Sequence, residues 1–321
     1  MSIDTYTDFS CKRLHITEDI TMNSGILLES GTNELEILEF KVGNNNYGIN
    51  VAKISEILSY QKSTPIPNAH PFIEGIFMPR DTIISIVNLA KCLNMPESTN
   101  NQTDMYIVTN FNKLSVAFHV QEVVGIHRVS WKDIVKPDET VNAGGNGVAT
   151  GIIKFNNKLV IILDFEKIIA NINPETGLKV SDVNHLINRK RNEAPILIAE
   201  DSHLLNKLII DSLHKSGYTN IVSTANGAEA WEKLTKWKEN NTLVNSVKCV
   251  ITDIEMPQMD GHHLTKLIKT DVKLSYLPVI IFSSLINEDM RRKGEALGAN
   301  AQLSKPEIGS LVEAIDKLIL S

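Results

Sequence analysis

At 321 residues, with 42% hydrophobic and 22% charged residues, the chain is longer than one core usually supports, so two domains are expected. A formal net charge of −6 without a long basic run argues against grip on a nucleic-acid backbone, and no apolar stretch approaches the roughly 18 residues that cross a bilayer. The polar start from Met1 to Asp8 is unlike a signal peptide, and Cys11, Cys92 and Cys249 form no C-x-x-C pair, so reduced thiols in a cytoplasmic protein are expected.

Residues 1–33 lack periodicity and read as a mobile N-terminal tail with one helical turn near 24–30. From 34 to 172 the pattern is that of antiparallel sheet. Leu38, Phe40 and Val42 alternate with Glu39 and Lys41, a period of two that gives one apolar and one wet face. Gly43-Asn44-Asn45-Asn46 is turn chemistry, after which Tyr47, Ile49 and Val51 resume the alternation. A short helix is expected at 51–58. Strands are expected at 82–87, 105–109, 114–120, 123–129, 151–155 and 159–163, the last two joined by Asn156-Asn157, and a second short helix at 165–170. Many short strands with Gly and Asn turns argue for a barrel or sandwich. The glycine-rich stretch Ala143 to Gly147 lacks the strand–loop–helix context of a phosphate loop and reads as a flexible turn. No acid–base pair or Ser/His/Asp set can be assembled here, which leaves binding. Residues 173–194, with Asn, Pro, Gly, Ser and the cluster Arg189-Lys190-Arg191, have linker composition and space for a short helix at 180–190.

From 195 to 321 the pattern changes. Continuous apolar runs at 196–199, 221–224, 249–251 and 279–282 alternate with amphipathic segments, the signature of parallel strands buried on both faces. The last segment sets Ile308, Leu311, Ile315 and Ile319 at helical spacing. Trp231 and Trp237 fall on a helix expected at 226–240, where at most one packs on the sheet; His262 and His263 open a helix and are expected to be exposed and inert.

The runs end in polar groups: Glu200 and Asp201, Asp253, Ser283, and Lys305. Ligands of open parallel sheets bind outside the carboxyl ends of the strands, so these groups should share one edge. Two carboxylates about 4 Å apart repel by on the order of 4 kcal/mol at an effective dielectric of 20. A hard divalent cation such as Mg²⁺ removes that cost, and one acid can then attack phosphorus, with the lysine and hydroxyl meeting the phosphoryl oxygens.

The stretches Ile198-Ala199-Glu200-Asp201-Ser202, Thr252 to Gly261, Leu277 to Ser284 and Ser304-Lys305-Pro306 resemble the response-regulator receiver domain. The resemblance implies a doubly wound (flavodoxin-like) α/β fold with strand order 2-1-3-4-5. It also implies Asp253 as phosphoacceptor, Asp201 as a direct Mg²⁺ ligand, Glu200 as a ligand through water, and the Glu255 carbonyl as a further ligand. Ser283 would be the switch hydroxyl and Lys305 the phosphoryl-pairing cation. Gln302 stands where receivers often carry a switch aromatic, so the signal would pass through Ser283 and the following helix.

The first half resembles the CheW-like coupling domain. The residues are Leu38-Glu39-Phe40, Tyr47-Gly48-Ile49, Lys53 to Ile57, Pro65 to Asn68, Phe72 to Gly75, Arg80, Ile84 to Leu89, Val124 to Ile126 and Leu159 to Leu163. That resemblance implies an all-β double barrel that binds chemoreceptors (methyl-accepting chemotaxis proteins) and the histidine kinase CheA. Glu56 and Arg80 match an acid–base pair near the receptor face, and Ile54, Ile57 and Phe72 are candidates for an apolar contact or for core. Phe77-Met78-Pro79-Arg80-Asp81 departs from the family's Asn-Leu-Arg-Gly.

Coupling domain followed by receiver is the architecture of the CheV-type family, which implies a cytoplasmic chemotaxis adaptor near polar receptor arrays, regulated by Mg²⁺-dependent phosphorylation of Asp253 and not itself an enzyme. A haloacid-dehalogenase-type phosphatase would need a second Asp where Glu255 stands. A transcription regulator would need a DNA-binding domain, for which the sheet-rich, non-basic first half is unsuited.

Overall fold

The computed structural model describes residues 32–99, 101–111, 114–137, 147–155, 158–173, 191–305 and 307–319. The turn expected at 24–30, residues 143–146 of the glycine-rich stretch, Asn156-Asn157, Pro306 and the helix expected at 180–190 lie outside them. The first domain runs through β1 (Glu34–Val42), β2 (Asn45–Asn50), β3 (Ile54–Ser59), β4 (Ile73–Phe77), β5 (Ile84–Asn88) and α1 (Leu89–Cys92). It continues with β6 (Met105–Phe111), β7 (Leu114–Val120), β8 (Glu122–Ser130), β9 (Ala149–Phe155), β10 (Lys158–Leu163) and α2 (Phe165–Ile172). These strands form two five-stranded sheets, in the orders β8-β1-β2-β10-β9 and β3-β6-β7-β5-β4.

Between the sheets lies a core built on Leu38, Phe40, Tyr47, Phe118 and the α2 residues Phe165, Ile168 and Ile169. A second cluster on the other face of β1 holds Leu35, Ile37, Trp131 and Ile153. The face of β1 expected to be wet is therefore buried. Glu39 sits on it fully enclosed, with Oε2 2.7 Å from His127 Nε2 and Oε1 2.5 Å from Lys158 Nζ. Pairing with two basic side chains is what lets a carboxylate stay there.

The helix expected at 51–58 is a 3-10 turn at Val51–Lys53 followed by β3. Register slips between Ile54 and Glu56 where β3 pairs with β6, a bulge. The extra residue puts Ile54 and Ile57, three apart, against the same core, so a bulged strand imitates helical spacing.

The second domain comprises β11 (Ile196–Ala199), α3 (His203–Lys215), β12 (Ile221–Thr224), α4 (Gly227–Glu239), α5 (Leu243–Ser246) and β13 (Cys249–Thr252). It ends with α6 (Gly261–Thr270), β14 (Val279–Ser283), α7 (Glu288–Ala296), β15 (Ala301–Ser304) and α8 (Ile308–Ile319). The sheet is parallel, in the order β12-β11-β13-β14-β15, the 2-1-3-4-5 arrangement. Alternate strand residues feed opposite faces: Ile196, Ile198 and Ile251 pack under α3 and α8, while Leu197, Ala199 and Val250 pack under α4 and α6. Both Trp231 and Trp237 are partly buried on the latter cluster, because six residues of α4 turn through little more than one and a half helical turns and leave both on its inner half. No helix among the described residues is long and apolar enough to cross a membrane.

Candidate functional site

Parallel register delivers the groups to one edge. Thr252 of β13 stands beside Ala199 of β11 and Ile281 of β14, so Glu200, Asp253 and Ser283 all emerge at the carboxyl ends. Ser283 pairs with Ser304 on β15, and the backbone N–H of Lys305 donates to the Ser283 carbonyl at 3.1 Å. Ser202 caps α3 by accepting from Leu205 N. Asp260 caps α6 by accepting from His263 N at 2.7 Å. A Cβ on Gly261 would fall 1.9 Å from the Asp253 carbonyl oxygen, so only glycine lets α6 begin against the strand end.

Carboxylate oxygens of Glu200, Asp201 and Asp253 all lie within 4.8 Å of one another. Lys305 Nζ donates to Glu200 Oε2 at 2.7 Å and to Asp253 Oδ2 at 2.9 Å. The pocket is deep: Asp253 is 8% exposed, Lys305 5% and Glu200 2%. Burial, with Asp253 and Asp201 nearby, pushes Glu200 up to about 8 even though Lys305 pulls the other way. Burial and the Asp253 charge push Asp201 up to about 7. Lys305 is held above the ordinary lysine value, its burial outweighed by Asp253 and Glu200. One lysine does not balance the buried Glu200 and Asp253 together with the half-buried Asp201. Their oxygen-only set, converging at this distance, fits a hard divalent cation. The Ser283 hydroxyl accepts from Leu285 N at 3.2 Å.

Glu255 behaves differently from the other acids. Its side chain turns away to the first domain, accepting from Asn50 Nδ2 at 2.8 Å and pairing with Lys53 Nζ at 2.5 Å. Lys53 Nζ also meets Glu166 Oε1 at 3.0 Å, and Ser284 of the receiver lies near enough to help lower the Glu166 carboxyl. Lys53 stays charged, well above its ordinary value, because Glu166 and Glu255 overcome its burial. Nothing in the sequence pointed to this, since Asn50 and Glu255 are 205 residues apart. Asn33, buried and in the left-handed region at φ 64°, donates to the Gln258 carbonyl at 2.8 Å and accepts from Asp260 N at 3.0 Å. Gln258, itself left-handed at φ 67°, donates its N–H to the Trp131 carbonyl at 3.2 Å. His262 is not exposed as expected: it is 7% exposed, lines the crevice between the domains and leaves Nε2 without a hydrogen-bond partner. It sits at the start of α6, which the first domain covers, so burial lowers it to about 4.

In the first domain, Arg80 Nη2 lies 3.0 Å from Glu56 Oε2, with the arginine side chain 75% exposed. Ile54 and Ile57 pack on the core, whereas Phe72 is half-buried beside the His70 ring, 4.9 Å between centroids. Gln302 is buried, donating Nε2 to the Arg291 carbonyl at 2.7 Å.

Residues 36–173 match the CheW-like domain, and residues 196–316 match the response regulator receiver domain. A double-sheet coupling module joined to a parallel-sheet receiver defines the class, a chemotaxis adaptor that carries its own receiver. Chemotaxis protein CheV3 of Helicobacter pylori is 30% identical over 299 residues, covering 89% of this chain and 95% of that protein. Chemotaxis protein CheV2 of the same organism is 28% identical, covering 89% and 95%. Chemotaxis protein CheW of Thermotoga maritima is 28% identical over 151 residues, 47% of this chain and 98% of that protein. The chain belongs to the CheV-type family of chemotaxis coupling proteins.

Proposed function

We propose that the protein couples chemoreceptors to a CheA-type histidine kinase, and that Mg²⁺-dependent phosphorylation of Asp253 regulates this coupling. The observation that carries the reading is Lys305 Nζ set between Glu200 and Asp253 at the carboxyl edge of a parallel sheet, with Asp201 completing a triad of acids. Asp253 attacks the phosphorus of the donor through a carboxylate oxygen, the bond from phosphorus to the donor's leaving group breaks, and the pair leaves with that group. Asp201 and Asp253 would hold the cation directly, Glu200 through water, and the Glu255 carbonyl would complete the set. When bound, the cation neutralises the phosphoryl oxygens. Lys305 balances the remaining charge, and the Ser283 hydroxyl turns to donate to the phosphoryl group. The CheW-like half supports the adaptor role, with the exposed Arg80 and its partner Glu56 as the receptor-facing pair. Between water-exposed groups such a pair contributes about 0–1 kcal/mol to stability, so its value lies in presenting charge.

Two measurements test the proposal. Acetyl phosphate with Mg²⁺ should place one hydroxylamine-sensitive phosphoryl group on Asp253, and Asp253→Ala should remain unlabelled. Label on another side chain would refute the switch. The protein should also co-sediment with receptor-containing membranes and kinase, and Arg80→Ala should weaken this several-fold.

A further inference from the structure

Resting on Asp253 as phosphoacceptor, we propose that the coupling domain caps the phosphorylation pocket in cis, so that a phosphodonor reaches Asp253 only when the contact between the domains opens. The acceptor has to meet a donor in line, yet Asp253, Glu200 and Lys305 are nearly inaccessible in the arrangement observed. Groups of the first domain reach this edge. Lys136 Nζ donates to the Asp201 carbonyl at 3.2 Å. Asp164 lies close enough to act on the Asp201 carboxyl, and Glu166 close enough to feel Lys305. With Lys53 on Glu166 and Lys136 on Asp201, the first domain sets a ring of paired charges beside the pocket an anionic donor has to enter.

Three contacts hold the cap down. Lys53 bridges Glu255 and Glu166. Asn33 bonds the backbone on both sides of the 258–260 turn. Ala52 packs into the receiver cluster of Ile254, Leu285 and Met290, and its carbonyl accepts from Asn287 Nδ2 at 3.3 Å. Two of the three engage the segments that flank the acceptor and the switch serine. Glu255 follows Asp253 by two residues, and Ser284 to Asn287 follow Ser283 directly. A Ser283 rotation towards a phosphoryl group pulls on the Asn287–Ala52 bond, and the new charge disturbs the Lys53, Glu166 and Glu255 ion pairs beside it. Opening favours phosphorylation, and by reciprocity phosphorylation favours opening.

The test compares the initial rate of Asp253 labelling by acetyl phosphate and Mg²⁺ in the full chain and in two variants. Lys53→Ala removes the bridge, and Ala52→Arg wedges the interface without touching either domain's core charge pairs. Hydrogen exchange of residues 50–53 and 284–287 reports whether the interface has opened. The expected result is at least a tenfold faster labelling in both variants, and faster exchange of both segments in wild type after labelling. Unchanged labelling in variants whose segments exchange faster overturns the cap and leaves the phosphoacceptor intact. Absence of Asp253 label from wild type and variants alike removes the phosphoacceptor, and the cap with it.

Discussion

Glu200 and Asp201 take up protons at unusually high pH because they are buried beside Asp253. A metal has to displace those protons, so its affinity is linked to pH. With values about 8 and about 7, Mg²⁺ binding should strengthen as pH rises from 6 to 8 and should release protons. Calorimetric titration in two buffers of different ionisation enthalpy measures that release, and equal heats in both would contradict it. Gly261 supplies a second expectation at this scale. Its Cβ-free surface touches the Asp253 carbonyl, so Gly261→Ala should lower stability by about 1–3 kcal/mol and slow labelling of Asp253. Urea midpoints and labelling rates report the two effects separately. Gln302 is buried where an aromatic would turn, and a Cβ on Gly294 would come 2.3 Å from its Oε1, so glycine on α7 makes space for the amide. That leaves the side chain little freedom to act as a rotating signal.

Among the elements, β7 carries a charge cluster that the alternation pattern does not announce. His119 Nδ1 lies 2.6 Å from Glu74 of β4, and Nε2 lies 2.9 Å from Asp104. Burial opposes the imidazolium, but hydrogen bonds and charge from Glu74 and Asp104 raise His119 above its ordinary value. Its stabilisation is complete below the unfolded value of about 6.5 and is lost as pH rises through the folded value. Glu74, also opposed by burial, is lowered by His119; its share is complete above about 4.3 and is lost as pH falls through the folded value. His119→Gln should therefore cost about 3 kcal/mol near pH 6 and distinctly less at pH 9, read from urea unfolding. Legibility also divides by element. The parallel strands of the receiver were plain because continuous apolar runs, each ending in an acid or hydroxyl, announce both their burial and their edge. In the first domain β3 was hidden by its bulge and the second face of β1 by a glutamate whose partners lie 88 and 119 residues away. The acidic pocket could be read from motif order; Lys53 could not, since its partners meet it only across the folded interface.

For the whole molecule, the two domains have separate cores and meet through ion pairs, hydrogen bonds and the Ala52 contact, so unfolding need not be a single transition. A ligand confined to the receiver stabilises that domain alone unless the cap transmits the effect. At a Mg²⁺ concentration about 100 times its Kd, the receiver should gain about 2.7 kcal/mol, a rise of roughly 10 °C in its midpoint. Differential scanning calorimetry should show the receiver transition moving, and a co-migrating coupling-domain transition should uncouple in Lys53→Ala.

Helix α2 has one end in each world. Phe165 is wedged beside Phe118, 4.1 Å between ring centroids, and Ile168 and Ile169 anchor the same rod in the middle of the sheets, while Glu166 holds Lys53, which reaches Glu255 of the receiver. A rod held so firmly by its inner residues cannot yield at its tip alone. A pull on Glu166 would tilt the helix where the two sheets interlock, so these eight residues tie the Glu255 edge of the receiver to the centre of the first domain.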